Sequence, residues 1–183
     1  MEEVPLGSLY LTLFILIVLS GFFSSSETGL MAINKYRLRH LANKGHRGAI
    51  LAQKLLRSPD RLIGLILLGN NLVNIMAASI ATIIGIRLFG INGVWIASLI
   101  LTVVILIFAE VAPKTVAAVH PERIAFPASF PLYVLLKILS PVVWLVNGLA
   151  NLVLKPFRVR TNVDLIEHLY REELRTLVKE GGE

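Results

Sequence analysis

Three groups of polar side chains interrupt runs of apolar residues, and their types suit the binding of a cation. The groups stand in the segments SGFFSSSET, LLGNNLVN and IFAEVAPK, and they contain Ser20, Ser24–Thr28, Asn70, Asn71, Asn74 and Glu110. Polar groups in hydrocarbon are costly, so within a membrane they usually face a bundle interior or a cavity and mark a pathway. If the three segments pack together, their hydroxyl, amide and carboxylate oxygens can meet in one place.

The supply of candidate ligands favours a hard cation. Asn70 and Asn74 are four residues apart and therefore share a helix face. Pro113 has no N–H for the carbonyl of Ala109, which leaves an oxygen free beside Glu110. The chain has no cysteine, and none of its four histidines lies in an apolar run. Oxygen ligands without thiolate or imidazole predict Mg²⁺, Ca²⁺ or Na⁺ rather than zinc or copper.

Each polar residue also has an explanation that involves no ion. Serine and threonine in membrane helices often let helices pack closely, and paired asparagines can join two helices. Glu27, near the end of its apolar run, is expected to be solvated or paired with the basic segment that follows. However, a single certain carboxylate cannot neutralise a divalent ion, so helix dipoles or Glu27 would have to contribute. The convergence of three segments is what favours the ion site.

Composition predicts a membrane protein. The 183 residues are 55% hydrophobic and 16% charged, with a mean hydropathy of +0.73. A soluble domain of this size cannot hide so much apolar surface, so a lipid bilayer is the expected partner. The net charge of +6 does not indicate a nucleic-acid partner, because the basic residues flank apolar runs. The first run is expected to be a retained span, since its flank MEEVP is acidic where a signal peptide is basic.

Three apolar runs are long enough to cross a bilayer. They cover residues 6–33, 62–88 and 93–111, and a hydrocarbon core of roughly 30 Å needs about 20 helical residues. Eight Lys or Arg residues lie between Lys35 and Arg61, whereas the N-terminal flank has none. By the positive-inside rule we expect a multi-pass protein of the plasma (bacterial inner) membrane, with its N-terminus outside and its C-terminus in the cytoplasm.

A fourth apolar stretch, residues 126–154, contains Pro127, Pro131 and Pro141. Pro141 divides it into two pieces of about 14 residues, and each would reach only about 21 Å as a helix, too short to cross. Basic residues flank both ends, which favours an even number of crossings. We therefore predict a re-entrant or juxtamembrane helical hairpin on the cytoplasmic side, bent at Pro141. The alternative is one kinked fourth span.

The C-terminal segment, residues 161–183, differs from the preceding residues 1–160. Apolar residues recur at three- and four-residue spacing from Val163 to Leu177, and charged residues take the other faces. This pattern predicts an amphipathic helix, whose apolar stripe is expected either to dock under the membrane domain or to lead to a cytoplasmic domain. The predicted fold is therefore an all-α membrane protein, in which residues 1–160 form three transmembrane helices and the hairpin.

The segments SGFFSSSETGLMAI, LLGNNLVNI and FAEVAPKT resemble the transmembrane domain of the CorC/cyclin M (CNNM) family, in order and spacing, from about residue 8 to 160. The resemblance implies a homodimer with three spans and a cytoplasmic-side hairpin in each protomer. It also implies magnesium transport, with sodium-coupled efflux as the usual proposal. By motif, it implies Mg²⁺ ligands at Ser24, Asn70, Asn74 and Glu110, with Gly69 and Ser20 as further contributors.

This sequence departs from the family pattern in two respects. The family commonly reads FSGSET, but the glycine position here is Ser25, which is expected to stiffen that turn. Family members usually continue into paired CBS domains that bind ATP and regulate transport, and nothing in this sequence resembles them. We expect an isolated membrane domain followed by the first linker helix.

The working hypothesis is transport of Mg²⁺ by alternating access, driven by sodium. Mg²⁺ sheds water reluctantly, so a largely protein-made site has to supply oxygens in near-octahedral geometry. The alternative is a regulator or scaffold that senses Mg²⁺ without carrying it, because the same ligands would serve both roles. No enzyme activity is predicted, since no His or Lys base lies within the spans to activate a nucleophile.

Overall fold

The computed structural model of the protein describes residues 5–154, which are helical and contain no β-strand. The predicted all-α class is therefore confirmed. The predicted helix at residues 161–183 lies outside the described residues. Short connections join the helices, and they include a 3₁₀ turn at Gly90–Asn92 and a π-helical segment at Ile105–Val111. The α-helices of the described residues are α1 (Leu6–Ala32), α2 (Lys35–Asn43), α3 (Arg47–Leu55), α4 (Pro59–Phe89), α5 (Gly93–Val104), α6 (Ala112–Val119) and α7 (Pro121–Leu154).

Helix α1 contains the first polar group and packs against several other elements. It begins after Pro5, where a missing N–H costs little, and ends where Ile33 turns extended. Asn34 then caps α2 by accepting hydrogen bonds from the backbone N–H groups of Tyr36 and Arg37. Along its length α1 lies against α4, the π segment and α6. These contacts bring all three polar groups of the sequence toward one helix.

The long helical stretch Pro59–Val119 reverses direction at Gly90. Gly90 adopts φ +67°, a left-handed conformation that a side chain would strain, and α5 then packs back along α4. The stretch therefore contains two limbs, α4 and the run from α5 to α6. Leu6–Ala32, this stretch and Pro121–Ala150 are each long and apolar enough to cross a membrane. The stretch contains both predicted spans at residues 62–88 and 93–111, whereas Pro121–Ala150 falls on the segment that we predicted as a hairpin.

The basic segment between Lys35 and Arg61 forms two nine-residue helices, α2 and α3. The charge pattern of this segment did not predict these helices. Both helices contribute to the hydrophobic core, through buried residues such as Leu38 and Leu55. Helix α3 lies against the first part of α7, where Gly48 contacts Phe126. The basic residues of this segment therefore lie on two helices that pack into the core.

Helix α7 differs from the prediction. We expected two short helices with a bend at Pro141, but one helix runs over Pro121–Leu154 with Pro127, Pro131 and Pro141 inside it. This corrects the predicted hairpin, because the backbone stays helical through Pro141. Each proline removes one intrahelical hydrogen bond, but proline is tolerated inside long apolar helices where neighbouring groups satisfy the freed carbonyls.

The core of the described residues joins the helices that lie beside the polar groups. Residues up to Val143 form one structural unit, and every contact discussed below lies within it. Buried apolar side chains of α1, α3, α4 and α7, such as Leu30, Leu55, Leu65 and Leu132, belong to a single cluster. An ion pair of 2.6 Å between Arg37 and Glu122 ties α2 to the start of α7. The polar groups are thus held on a packed set of helices.

Candidate cation site

The α1 contribution to the site is a pair of buried serines on one face. Ser20 and Ser24 are one helical turn apart, and each is 1% exposed. Both direct their hydroxyls away from α1, to side chains on other helices. Ser26 instead donates to the carbonyl of Phe22 in its own helix. Ser20 and Ser24 are therefore the hydroxyls of this run that the fold makes available to a shared site.

Three oxygen atoms gather at Ser20. The Ser20 Oγ lies 2.9 Å from Asn70 Oδ1 and 2.7 Å from Asn74 Oδ1. A hydroxyl has one hydrogen, so it can donate fully to only one of these two acceptors. The cluster therefore holds more acceptor oxygens than donor hydrogens in this place, which is the arrangement that a bound cation would stabilise.

Glu110 joins the second part of the cluster. Ser24 Oγ donates to Glu110 Oε2 at 3.2 Å, and Asn70 Nδ2 lies 3.4 Å from Glu110 Oε1. Asn70 thus links the two parts, since its amide oxygen faces Ser20 while its amide nitrogen faces Glu110. The structure brings Ser20, Ser24, Asn70, Asn74 and Glu110 into one network of side chains from three segments.

Glu110 lies in the π-helical segment Ile105–Val111. π-helical turns are rare and occur frequently at functional sites. Here Ala112 donates its N–H to the carbonyl of Ile107, five residues earlier. In that wider register the carbonyl opposite Pro113 belongs to Phe108, whereas an α-helical register would have placed Ala109 there. The oxygen freed by the proline, which we predicted at Ala109, is therefore assigned to Phe108.

Gly21 allows α1 to approach the π segment closely. A Cβ atom on Gly21 would lie 3.3 Å from the Phe108 carbonyl oxygen and 3.3 Å from the Pro113 ring. Ala109, also in this contact, is fully buried. The Phe108 carbonyl therefore faces α1 between the turns that carry Ser20 and Ser24, and it adds a backbone oxygen beside the cluster.

Lys114 is a member of the cluster that sequence reasoning missed. Its Nζ lies 2.8 Å from Glu110 Oε2, in an ion pair across one helical turn. The four-residue spacing of Glu110 and Lys114 was the signal that could have found the pair, because residues i and i+4 are neighbours on a helix.

The remaining predicted contributors lie around the network. Gly69 makes room for the Phe23 ring, which would lie 2.5 Å from a Cβ atom at that position. Glu27 is partly buried on α1, one turn beyond Ser24. Asn71 is exposed on α4. Gly69 thus has a packing role, and Glu27 lies at the edge of the network.

A cavity of about 360 Å³ reaches Glu110 from the side of α5. Apolar side chains and two hydroxyl residues, Ser98 and Thr102, line most of it. Within residues 5–154 no group of three or more His, Asp or Glu side chains could hold a metal. A cation held by the cluster would therefore depend on neutral hydroxyl, amide and carbonyl oxygens with the carboxylate of Glu110.

The chain is similar to the members of one known protein family. The pattern of the family "Cyclin M transmembrane N-terminal domain" matches residues 11–183. The chain is 50% identical over 163 residues to the UPF0053 inner membrane protein YfjD of Escherichia coli K12, which covers 89% of this chain and 38% of that protein. It is 48% identical over 183 residues to a UPF0053 protein of Haemophilus influenzae, covering 100% of this chain and 43% of that protein.

A more distant relative has a name that states an activity. The chain is 28% identical over 181 residues to the polyamine export protein of Haemophilus influenzae, covering 92% of this chain and 41% of that protein. The chain spans about two fifths of the length of these relatives. The similarity to an inner membrane protein and the apolar helices support a bacterial inner-membrane location. The chain belongs to the cyclin M transmembrane N-terminal domain family.

Proposed function

We propose that this chain forms the ion-carrying membrane domain of a magnesium transporter, which moves Mg²⁺ out of the cell by alternating access and uses sodium entry as the driving force. The observation that carries the proposal is the oxygen cluster of Ser20, Asn70 and Asn74 beside Glu110. Its oxygens belong to the ligand class that Mg²⁺ prefers. The assigned ligands are Ser24, Asn70, Asn74 and Glu110.

The side-chain network is compatible with a change from a hydrogen-bonded to an ion-bound state. Ser20 donates a hydrogen bond to one of the asparagine oxygens, and Ser24 donates one to Glu110. A cation that entered between these oxygens would replace those hydrogen bonds with ligand bonds, without leaving a buried acceptor unpaired. The Phe108 carbonyl, which faces α1 at Gly21, would supply a further oxygen. Such a site removes part of the water shell of Mg²⁺, whose remaining waters would complete the octahedron.

The proposed arrangement in the membrane follows the charge pattern. The N-terminus lies outside and α2 and α3, which carry the basic segment, lie in the cytoplasm. The functional unit is a homodimer, and cytoplasmic CBS-type domains that bind ATP would regulate it. These assignments rest on the positive-inside rule and on the family resemblance.

A flux assay tests the proposal. Purified protein in liposomes that contain a Mg²⁺ dye is given an imposed sodium gradient, and the rate of Mg²⁺ movement is measured for wild type, Asn70→Ala and Asn71→Ala. Asn71 is the matched control, because it is the neighbouring asparagine of the same helix and is exposed. We expect gradient-dependent flux in wild type and Asn71→Ala, and flux reduced to the background of empty liposomes in Asn70→Ala.

Two other results would change the assignment. Mg²⁺ binding with no flux under any gradient would replace transport with sensing, so the chain would be a magnesium-dependent regulator or scaffold. Equal flux in Asn70→Ala and wild type would remove the cluster from the ion pathway. If a potassium gradient drives Mg²⁺ flux as well as a sodium gradient does, sodium coupling is overturned and the rest of the proposal stands.

A second candidate cargo, an organic polyammonium ion, is favoured by one contact. The Glu110 carboxylate already binds an alkylammonium group, that of Lys114, at 2.8 Å, and the adjoining cavity of about 360 Å³ is mostly apolar. A relative of this chain is named a polyamine export protein. The same liposomes, loaded with spermidine instead of Mg²⁺, distinguish the two cargoes. Spermidine flux that exceeds Mg²⁺ flux and disappears in Asn70→Ala would establish the second candidate.

A further inference from the structure

Lys114 occupies the place at Glu110 that a cation would take. Its ammonium group lies 2.8 Å from Glu110 Oε2, and this is the same oxygen that accepts the hydrogen bond from Ser24 at 3.2 Å. The other carboxylate oxygen, Oε1, faces Asn70. The one carboxylate of the network is therefore neutralised by a positive group that belongs to the chain itself.

We propose that the Lys114 ammonium is a tethered counter-cation, which occupies Glu110 when the site holds no ion and is displaced whenever a cation binds there. The inference rests on the proposed function, since it concerns the ion that this site carries. It assigns to Lys114 a role in setting ion affinity and release. A lysine that only positioned Glu110 would instead remain in place when the ion binds.

Electrostatics require the displacement. A divalent ion bound to one carboxylate leaves a local charge of +1, and a lysine held within 3 Å of the same oxygen would add a second. Like charges a few ångströms apart repel strongly where the surroundings screen them less than bulk water does. Both cations therefore cannot stay on one carboxylate oxygen at once.

The Lys114 side chain can move away from Glu110, and α1 carries a second carboxylate, Glu27, that can accept it. It is 43% exposed, whereas Glu110 is 25% exposed, so the lysine can leave the carboxylate without first opening the core. Its four-carbon stem is flexible and its ammonium is a compact point charge. Ser24 contacts Glu110, and Glu27 lies one turn beyond Ser24 on α1 as Lys114 lies one turn beyond Glu110. We assign Glu27 as the acceptor toward which the displaced ammonium moves.

The arrangement has a functional consequence for an exchanger. With Lys114 on Glu110, the ion-free site carries no net charge, so it can exist in a low-dielectric surrounding without an uncompensated carboxylate. The same lysine competes with the bound ion, which weakens binding and favours release. Removal of Lys114 should therefore strengthen ion binding, whereas removal of a merely positioning residue would weaken it. The sign of the change separates the two roles.

The test uses Lys114→Met, which keeps the length of the side chain and removes its charge. Mg²⁺ is titrated into the purified protein, and the midpoint of thermal stabilisation is compared with that of wild type, Lys114→Arg and Lys44→Met. Lys44 is the matched control, because it is an exposed lysine at the end of α2. We expect Lys114→Met to bind Mg²⁺ about threefold to tenfold more tightly, since a partly exposed ion pair is a weak competitor. Lys114→Arg and Lys44→Met should stay close to wild type.

The failures of the two proposals are distinguishable. If Mg²⁺ stabilises neither wild type nor any variant, the proposed magnesium function fails. If Mg²⁺ stabilises wild type but binds Lys114→Met equally or more weakly, the tethered counter-cation is overturned and the magnesium site stands. Melting of each variant in the absence of ions shows whether it is folded, and we expect Lys114→Met to melt slightly below wild type because Glu110 loses its partner.

A double-mutant cycle tests the role of Glu27. In the wild-type background Glu27→Gln should weaken Mg²⁺ binding, because the displaced ammonium loses its acceptor. In the Lys114→Met background the same substitution should have no effect, since no ammonium remains to be accepted. An equal weakening in both backgrounds would show that Glu27 acts on the ion directly, and it would overturn the assignment of Glu27 as the acceptor.

Discussion

Two places in the molecule depend on glycine to bring helices close together, and they have opposite chemical character. At the first, Gly21 of α1 meets the π segment at Phe108, Ala109 and Pro113. At the second, Gly85 of α4 meets Gly93 at the start of α5. The first contact adjoins Ser20 and Ser24, whereas the second adjoins apolar side chains such as Ala97.

The difference shows that close approach of helices does not by itself make a site. The Gly85–Gly93 contact is the tighter of the two, because a Cβ atom on Gly93 would lie only 1.9 Å from the Gly85 carbonyl oxygen. It stabilises the turn between α4 and α5 and brings no polar side chains together. The Gly21 contact is looser, at 3.3 Å, but it places a backbone oxygen beside two buried hydroxyls. Substitutions in the two contacts should therefore separate folding from ion binding.

The largest loss of stability is expected for Gly93→Ala. The added Cβ would overlap the backbone of Gly85, which cannot move aside as the end of a side chain can. Overpacking of this kind destabilises a protein by up to about 3 kcal/mol, and thermal unfolding in detergent measures it. The folded fraction should keep its stabilisation by Mg²⁺. Loss of the Mg²⁺ response without loss of stability would contradict the separation of the two contacts.

The next largest effect is expected for Glu110→Gln, and it should appear only when Mg²⁺ is present. At a Mg²⁺ concentration 100 times its dissociation constant, binding stabilises the wild-type protein by about 2.7 kcal/mol. Glu110→Gln removes the single carboxylate of the network and should lose this stabilisation. Glu122→Gln is the matched control, because Glu122 is also ion-paired, with Arg37. A full Mg²⁺ response in Glu110→Gln would remove Glu110 from the site.

A smaller, mixed effect is expected for Gly21→Ala. The added Cβ would lie 3.3 Å from the Phe108 carbonyl oxygen and the Pro113 ring, so α1 and the π segment must separate slightly. We expect a destabilisation of about 1 kcal/mol together with weaker Mg²⁺ binding, measured by thermal unfolding with and without Mg²⁺. Gly7→Ala, in the same helix with no atom within 4 Å of the added Cβ, should be neutral or stabilise by up to about 1 kcal/mol. Equal behaviour of the two variants would show that the Gly21 contact has no role in the site.

Much of the fold could be predicted because hydrophobic length and charge asymmetry are local properties of a chain. The spans at residues 6–33 and 62–88 agree closely with α1 (Leu6–Ala32) and α4 (Pro59–Phe89). The third, at residues 93–111, continues as helix to Val119. We predicted a helical hairpin at residues 126–154 from the positions of its prolines, but α7 is one continuous helix. A proline removes one backbone hydrogen bond from a helix. Whether neighbouring groups compensate for that bond depends on the packed structure, so proline positions alone do not show where a helix ends.

Less of the site could be predicted, because it depends on which helix faces pack together. Ser24, Asn70, Asn74 and Glu110 stood out as polar groups in apolar runs. Their spacing could not show that Ser20 lies between the two asparagine oxygens, nor that Asn70 links Ser20 to Glu110. The basic segment between Lys35 and Arg61 likewise gave no sign that it packs as α2 and α3.

The sequence by itself determined that this is a helical membrane protein and that three of its apolar runs contain side-chain oxygens of the kind that hard cations prefer. Those conclusions follow from residue type and local spacing, which do not depend on how the helices pack. Only the tertiary structure decided that a π-helical register turns Glu110 toward Ser24 and Asn70, and that Lys114 shares its carboxylate. A register change of one residue rotates every later side chain by about 100°. Most of the candidate side chains could therefore be read from the sequence, but their geometry and the parts of Lys114 and the Phe108 carbonyl required the packed helices.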